Sequence, residues 1–407
     1  MRMKSGWALI AVLVSLISFN SCSSSTNPAT GSGILWVATQ GDQMVTTFSV
    51  NEGTGAGTQV GHPVPSGTQP VAMAMTPDRS VIFVAGTSGV QAYSVHSDGS
   101  LAAIGSLVQI SPSPSGLAVD PSGKFLFVVS QGNAGVLGQA GTQPGEISIF
   151  SISSSAAPAP IPNSPFASAL PGDVTGNGPS AVAVAPQGKF LYVANQFTNT
   201  VAAFGYDATA GSLSLVASYN TGINPAGLAF SRCAGGASSN PGCTTADNAT
   251  LFVANSGSSN DISAFNACLA TTPTCPAADG SLQAVPGSPF ASGGLGPTSV
   301  FVSTQLDFVY VVDKLSNEIS QYKYSPSTGA LTALSPATIS TGSSPVSGGI
   351  TSDSRMVLVP DNGGSEIAAF TVDSQTSTTG SAPTGRLARA SNPSITLSAQ
   401  PSAVIVR

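Results

Sequence analysis

The stretch PSAVAVAPQGKFLYVAN, residues 179–195, contains the pair of strands that decides the fold of this chain. Small and larger apolar residues alternate from Ala181 to Ala185, and the turn residues Pro-Gln-Gly follow. A second apolar run then leads to Asn195. Short apolar runs with a period of two, separated by a glycine-containing turn, predict an antiparallel hairpin.

The same unit recurs along the chain. Its first strand begins seven times with a proline, at Pro70, Pro114, Pro179, Pro225, Pro297, Pro345 and Pro401. Most units continue with a second apolar run, a third run such as EISIF, DISAF or EIAAF, and a weaker fourth run after a glycine turn. Four short strands joined by tight turns predict an antiparallel meander, which is one blade of a β-propeller.

The last unit, residues 401–407, supplies only a first strand. The missing strands stand near the other end of the chain, as ILWVATQ from Ile34, MVTTFSV from Met44 and a fourth strand near Gln59. Joining the two parts makes a seventh blade and removes the exposed sheet edges of an open stack. We therefore predict an all-β fold over residues 34–407: a seven-bladed β-propeller with four-stranded blades, closed by pairing of the N- and C-terminal strands.

Residues 1–21 have the layout of an export signal. Arg2 and Lys4 precede a mostly apolar run, residues 7–19, which is too short to span a bilayer. The segment resembles a bacterial lipoprotein signal peptide, in which Cys22 would carry the lipid and residues 22–33 would form a flexible tether. An ordinary cleaved signal is the alternative. We expect an exported protein, anchored through lipid to the membrane of the cell envelope.

Four further cysteines follow: Cys233, Cys243, Cys268 and Cys275. An even number in an exported chain predicts disulfides. Pairing Cys233 with Cys243 and Cys268 with Cys275 closes the shortest loops, and a crossed pattern remains open. A zinc site is disfavoured, because neither a C-x-x-C spacing nor a nearby histidine is present.

The charge and the motifs of the chain limit the classes of partner and of chemistry that can be expected. Charged residues make up 7% of the chain, the net charge is −6, and no Lys/Arg cluster follows the first four residues. Nucleic acid is therefore not an expected partner. The chain contains no P-loop, no G-x-S-x-G and no H-E-x-x-H motif. We expect no cofactor, no resident metal and a monomer.

The repeat quoted above resembles that of the lactonase-type seven-bladed propellers, the family of 6-phosphogluconolactonase and the muconate cycloisomerase-type enzymes. The resemblance covers essentially the whole chain after the tether and implies lactone hydrolysis. Enzymes of this family tend to carry an Arg-His pair after the repeat's proline and a Glu after the strand-ending Asn. Here Ser180, Ala181 and Gln196 occupy those places. The resemblance therefore assigns no catalytic residue, and whether the chain is an enzyme stays open.

A candidate ligand site follows from the meander. The loops leading into the first strands and the loops between second and third strands lie at one face of the ring, the mouth of the central channel. The second strands end there at Thr39, Gly86, Ser130, Asn195, Asn255, Asp313 and Asp361. We expect ligand contacts from Gln131, Asn195, Gln196, Asn255, Asp313, Lys314 and Asp361. Each Asn or Asp there also has a structural explanation, because its side chain can close a turn.

Amides and hydroxyls dominate this mouth, so it suits a neutral polar ligand better than a phosphorylated sugar, which requires several Arg or Lys. A calcium ion held by Asp313 and Asp361 is an alternative. Long insertions at 132–145 and 163–178 belong to the same face, whereas the cysteine-bearing turns belong to the opposite face. Two functions follow: a lactone hydrolase, or a non-catalytic surface propeller that binds a glycan, a peptide or a protein.

Overall fold

A computed structural model of the chain describes residues 31–110, 113–132, 145–167, 178–207, 212–231, 248–273, 275–374 and 382–407. These residues form thirty strands and no helix. Within them, no helix has the length and apolar character needed to cross a bilayer. The signal segment, Cys22, Cys233, Cys243 and most of the two mouth insertions lie outside the described residues.

The first part of the ring contains sixteen strands. The chain begins with three strands of the blade that closes the ring: β1 (Ser32–Thr39), β2 (Met44–Asn51) and β3 (Gly57–Pro65). Blade 1 holds β4 (Pro70–Met75), β5 (Val81–Gly86), β6 (Gly89–Val95) and β7 (Leu101–Val108). Blade 2 holds β8 (Pro114–Val119), β9 (Phe125–Ser130), β10 (Glu146–Ser151), β11 (Ala159–Pro160) and β12 (Phe166–Ala167). Blade 3 holds β13 (Pro179–Val184), β14 (Phe190–Asn195), β15 (Thr200–Asp207) and β16 (Ser212–Asn220).

The remaining blades repeat the plan. Blade 4 holds β17 (Pro225–Phe230), β18 (Ala249–Asn255), β19 (Asp261–Ala267), β20 (Leu282–Ala284) and β21 (Phe290–Ala291). Blade 5 holds β22 (Pro297–Val302), β23 (Phe308–Asp313), β24 (Glu318–Tyr324) and β25 (Leu331–Ser340). Blade 6 holds β26 (Gly349–Ile350), β27 (Met356–Asp361), β28 (Glu366–Val372) and β29 (Leu387–Thr396). The last strand, β30 (Pro401–Val406), completes blade 7 with β1, β2 and β3.

The ring closes as predicted. Strand β30 pairs antiparallel with β1, with Trp36 opposite Ile405 and Val37 opposite Val404. The backbone N–H of Ile34 donates to the carbonyl of Arg407 at 3.0 Å, and the N–H of Arg407 donates back at 2.8 Å. In every blade the first strand of the repeat is innermost, and innermost strands of neighbouring blades pack against one another. The chain is therefore a seven-bladed propeller.

The hydrophobic core is divided among the blade boundaries, with one buried cluster between each pair of neighbours. The packing of the second strand between two neighbouring blades explains why its sequence is continuously apolar. In β14, Leu191 and Val193 pack towards blade 2, whereas Tyr192 and Ala194 pack towards blade 4. Successive side chains of a strand point to opposite faces, so a strand buried on both faces needs an uninterrupted apolar run.

Buried aromatic side chains also link neighbouring blades by hydrogen bonds. Tyr192 in blade 3 donates its hydroxyl to the carbonyl of Gly280 in blade 4 at 2.8 Å. Trp36 in blade 7 donates to Gly99 in blade 1 at 2.8 Å, and Tyr310 in blade 5 donates to Gly385 in blade 6 at 2.6 Å. The three acceptors are glycines with positive φ in third-to-fourth turns. Each aromatic ring thus fills the core while its polar group is satisfied by the next blade.

Three details differ from the expected boundaries. Strand β1 begins at Ser32, inside the predicted tether, because Ser32 and Gly33 pair with the end of β2. The fourth strand is divided in blades 2 and 4, at the repeated sequence SPFAS, which begins at Ser164 and Ser288. There β12 and β21 pair with the starts of β10 and β19. At the interruption, Ser164 and Ser288 accept the N–H groups of Ile149 and Ala264, both at 2.9 Å.

The cysteines of blade 4 behave as predicted where they are described. Cys268 and Cys275 form a disulfide in the turn between the third and fourth strands. This turn lies on the opposite face of the ring from the second-strand ends. The local pairing predicted for these two residues is therefore confirmed, and the pairing of Cys233 with Cys243 stays a prediction.

Candidate functional site

The second-strand ends form a ring at the mouth face, as the repeat predicts. In each blade the proline that starts the repeat lies opposite the last residue of the second strand; the pairs are Pro401 with Thr39, Pro70 with Gly86, Pro114 with Ser130, Pro179 with Asn195, Pro225 with Asn255, Pro297 with Asp313 and Pro345 with Asp361. In blade 6 this proline forms an isolated bridge ahead of β26. Outside blade 6 the register shifts directly after the proline, so the next residue lies in a β-bulge.

The bulge position joins neighbouring blades in this protein. Ser180 donates its hydroxyl to the carbonyl of Pro225 in the next blade at 2.6 Å. Ser115 does the same to Pro179, also at 2.6 Å. Both serines are buried. The place where related enzymes tend to carry an arginine is therefore occupied by a hydroxyl that holds the ring together.

Asp313 and Asp361 are fully buried beneath the loops that lead into their own blades. The carboxylate of Asp313 accepts hydrogen bonds from Ser292 at 2.7 Å and Ser320 at 2.5 Å. That of Asp361 accepts from the Thr341 hydroxyl at 2.8 Å and the Gly342 N–H at 2.9 Å. Burial raises the pKa of Asp313 to about 6 and that of Asp361 to about 7.

This arrangement bears on the calcium alternative. Each of the two carboxylates is engaged by hydroxyl or amide donors of its own blade. Among the described residues, no group of three or more His, Cys, Asp or Glu is placed to hold a metal ion. The geometry around Asp313 and Asp361 is that of a loop anchor.

In blade 3 the residue that ends the second strand lacks such hydrogen bonds within the described ranges. In blade 4, Asn255 donates to Asp261 at 2.6 Å and to Ser263 at 3.0 Å, both on the third strand. In blade 3 the equivalent of Asp261 is Thr200, whose hydroxyl pairs with that of Thr198 at 2.9 Å, and the equivalent of Ser263 is Ala202, which has no polar group. Accordingly both side-chain atoms of Asn195, Nδ2 and Oδ1, are buried and have no hydrogen-bond partner among the described residues.

The next residue of blade 3 shares this feature. The side-chain Nε2 of Gln196 is buried without a partner in the described part of the chain, although 6% of the residue is exposed. Its backbone N–H donates to the carbonyl of Gly178 in the loop leading into β13, at 2.9 Å. Phe197 follows and is 41% exposed. Ser130 Oγ and Asn255 Oδ1, at the same position in blades 2 and 4, are also buried without a partner, but only blade 3 has three such atoms on two adjacent residues in the described part of the chain. Unsatisfied buried polar atoms are rare in native proteins, so blade 3 is the strongest candidate for a ligand contact.

The other predicted residues lie one to a blade around the rim. Gln131 follows β9 in blade 2 and is half-buried. Lys314 follows Asp313 in blade 5, its backbone N–H donates to Gly296 at 2.9 Å, and burial lowers the pKa of its ammonium group. Lys314 is the one lysine in the described loops of the mouth face. The structure therefore brings the predicted residues to one face without bringing them into one cluster.

Sequence reasoning missed the partners of the strand-end residues. Ser263 and Ser320 stand in the third-strand motifs DIS and EIS, whereas Ala202 stands in TVA. This difference is visible when the repeats are aligned, but its meaning depends on the register between second and third strands. Sequence reasoning also missed four exposed apolar residues in the mouth loops: Phe197, Ile223, Leu295 and Leu315.

Comparison with known families agrees with this architecture. The model of the family "Lactonase, 7-bladed beta-propeller" matches residues 34–163, 163–260 and 244–389. The chain belongs to this lactonase propeller family. No curated protein matches it.

Solved structures show the same fold at low identity. A candidate 6-phosphogluconolactonase from Bacteroides uniformis has a TM-score of 0.69 at 15% identity, and the alignment covers 92% of this chain and 99% of that one. The periplasmic gluconolactonase PpgL of Pseudomonas aeruginosa has a TM-score of 0.68 at 17% identity, with coverage of 92% and 99%. A candidate 6-phosphogluconolactonase from Bacteroides fragilis has a TM-score of 0.68 at 18% identity, with coverage of 94% and 100%.

Proposed function

We propose that the protein hydrolyses an uncharged lactone at the mouth of its channel, beside blade 3. The observation that carries this proposal is the set of three buried atoms, Asn195 Nδ2 and Oδ1 and Gln196 Nε2, that have no partner among the described residues. An unsatisfied buried polar group costs roughly 1–3 kcal/mol. A lactone offers a carbonyl acceptor and, in a sugar lactone, hydroxyl donors that would satisfy such atoms.

The family supports a lactone, and the mouth supports an uncharged one. A phosphoryl group is recognised by several Arg or Lys side chains, whereas the described mouth loops contain the single lysine Lys314. Gln196 stands where related enzymes tend to carry a Glu, and an amide cannot act as a base. Its role in this proposal is to donate a hydrogen bond from Nε2 to the carbonyl oxygen of the lactone, which gains negative charge as water adds to the ring ester.

Export and lipid anchoring belong to the same proposal. They rest on the sequence of residues 1–22, with its basic head, short apolar run and Cys22. A protein placed in the cell envelope would meet lactones that enter from outside or form there. The anchor would hold the propeller at the membrane surface.

A second candidate is a propeller that binds a polar ligand without catalysis. It is favoured by the residues Ser180, Ala181 and Gln196, which replace the Arg, His and Glu of related enzymes. Ser180 is committed to the blade boundary through Pro225.

One assay separates the two candidates. Protein lacking residues 1–22 is incubated with gluconolactone, 6-phosphogluconolactone and a simple unsubstituted lactone, and acid release is followed by titration. We expect hydrolysis of the uncharged lactones above the spontaneous rate, and a loss of about 10-fold or more in Gln196→Ala. The control Gln59→Ala removes an exposed amide on β3 and should not change the rate.

Three results are informative. Saturable lactone binding without hydrolysis, weakened in Gln196→Ala, would support the second candidate. Hydrolysis that is also lost in Asp313→Asn or Lys314→Ala would extend the site to blade 5. Absence of both binding and hydrolysis over the panel would contradict the first candidate and would exclude these lactones as ligands of the second.

A further inference from the structure

Four large apolar side chains are exposed in the described part of the chain, and all four lie on the mouth face. Phe197 is 41% exposed, Ile223 47%, Leu295 54% and Leu315 71%. They occupy the loops of three consecutive blades, 3, 4 and 5. We call this set the apolar arc. Single exposed apolar residues are ordinary, but a contiguous exposed set is typical of an interaction surface.

The loops that carry the apolar arc are joined across the blade boundaries. In blade 3, the side-chain oxygen of Asn199 accepts the backbone N–H of Asn224, next to Ile223, at 2.8 Å. In blade 4, the side-chain oxygen of Asn260 accepts the N–H of Gly296, next to Leu295, at 2.7 Å. Asn199 and Asn260 both have positive φ, a conformation that asparagine tolerates. The loops that carry the four side chains are therefore fixed to one another across the blade boundaries.

Glycines hold these side chains against the loops. A Cβ atom added to Gly178 would lie 2.3 Å from the ring of Phe197, and one added to Gly257 would lie 2.5 Å from Ile223. In the same way, a Cβ atom added to Gly296 would lie 2.6 Å from Leu315. Three of the four apolar side chains therefore pack on a glycine and present their other side to solvent. The repetition in three blades makes a preorganised platform, which lowers the entropic cost of binding.

Carboxylates surround the apolar arc. Asp261 and Glu318 begin the third strands of blades 4 and 5, and Glu146 and Glu366 hold the same position in blades 2 and 6. All four are partly exposed. Most cations of the described chain lie at the opposite face, in or beside the turns of that end: Arg79, Lys124, Lys189, Lys323, Arg355, Arg386 and Arg407. Two cations of the described chain lie at the mouth end: Lys314, and Arg389, whose guanidinium donates to the carbonyl of Ser340 at 2.9 Å. Carboxylates outnumber them, so the surface around the apolar arc is mainly acidic.

This charge distribution indicates which kind of partner can bind at the apolar arc. A second copy that docked through the same surface would place carboxylates against carboxylates, and an anionic lipid surface would be repelled. A partner whose contact surface combines apolar and basic side chains is complementary in both respects.

We propose that the apolar arc docks a basic, apolar segment of a partner protein. The apolar arc supplies the buried centre of this interface, and Asp261 and Glu318 supply its polar rim, which is the usual arrangement of protein interfaces. The proposal does not depend on lactone hydrolysis, since it concerns the loops of blades 3 to 5 and uses no reacting group.

The test uses protein lacking residues 1–22 and a short fluorescent peptide of alternating Lys and Leu, with a Glu-Leu peptide as its charge-reversed counterpart. Fluorescence anisotropy should show binding of the Lys-Leu peptide, weakened by salt, and no binding of the Glu-Leu peptide. The double variant Leu295→Ser/Leu315→Ser should weaken binding about tenfold or more, because truncation of central apolar anchors is costly. Glu318→Gln should weaken it less.

The matched control is Asp98→Asn, which removes an exposed carboxylate in a turn of the opposite face and should leave binding unchanged. Circular dichroism verifies that each variant is folded. Equal affinity in the double variant and the wild type would overturn the proposal, as would equal weakening by Asp98→Asn. Dimerisation of the wild type that is abolished in the double variant, or binding to anionic vesicles through the same residues, would also overturn it.

Discussion

The variant Asp361→Asn is expected to lose less stability than the wild type when the pH is raised from 5 to 8. Burial raises the pKa of this carboxyl to about 7, although Thr341 and Gly342 donate to it. The folded state therefore binds a proton more tightly than the unfolded state, whose carboxyl has an ordinary pKa of 3.8. The resulting stability is fully present below the unfolded pKa and is lost as the pH rises through about 7.

The size of the effect follows from the shift. One pKa unit corresponds to about 1.4 kcal/mol, so ionising Asp361 in the folded state between pH 5 and pH 8 removes up to about 3 kcal/mol from the free energy of unfolding. Burial also raises the pKa of Asp313 to about 6, and burial with the neighbouring Asp353 raises that of Glu52 to about 7. All three act in the same direction, so the wild type should lose stability between pH 5 and pH 8.

Urea unfolding at pH 5 and at pH 8 measures the free energy of unfolding of the wild type and of each variant. Asp361→Asn should reduce the difference between pH 5 and pH 8, whereas Asp98→Asn should not, because hydrogen bonds from Ser100 lower the pKa of Asp98. A wild type that is more stable at pH 8, together with an Asp361→Asn variant that loses stability there, would refute the reasoning. That result would mean that the donors around Asp361 outweigh its desolvation.

Three further changes probe the ring. Ser180→Ala should cost about 1–2 kcal/mol in urea unfolding, because the buried Pro225 carbonyl loses its donor, whereas the exposed control Ser153→Ala should cost almost nothing. Cys268→Ser should cost about 2 kcal/mol, and dithiothreitol should lower the melting temperature of the wild type more than that of the variant. Deleting residues 401–407 should expose the inner edge of blade 7 and cause aggregation on size exclusion; an intact monomer with an unchanged melting temperature would argue against closure by β30.

Much of the fold could be predicted because each blade is a local repeat. The alternation of apolar residues, the turns and the proline starts are properties of neighbouring residues, and the lone strand after Pro401 required a partner near Ile34. The links between blades were not predictable in this way. The hydrogen bond from Tyr192 to Gly280 joins residues 88 positions apart and depends on how two blades pack.

The candidate site was predictable only in outline. The period of the strands places Asn195, Asn255 and Asp313 at one face, because equivalent positions of a repeat lie at equivalent heights in the ring. Whether such a side chain is paired depends on its two neighbours on the third strand, which are Asp261 and Ser263 in blade 4 but Thr200 and Ala202 in blade 3. The apolar arc carries no periodic signal, since each member is a single residue in a loop.

The pairing of β1 with β30 determines when folding can finish during synthesis. Blades 1 to 6 are each built from neighbouring segments, but β1 is made first and its inner partner last. At roughly 5–20 residues per second, β1 waits on the order of half a minute for β30 to be synthesised. Until then the ring is an open arc with two unpaired edges, which expose backbone N–H and carbonyl groups to other chains.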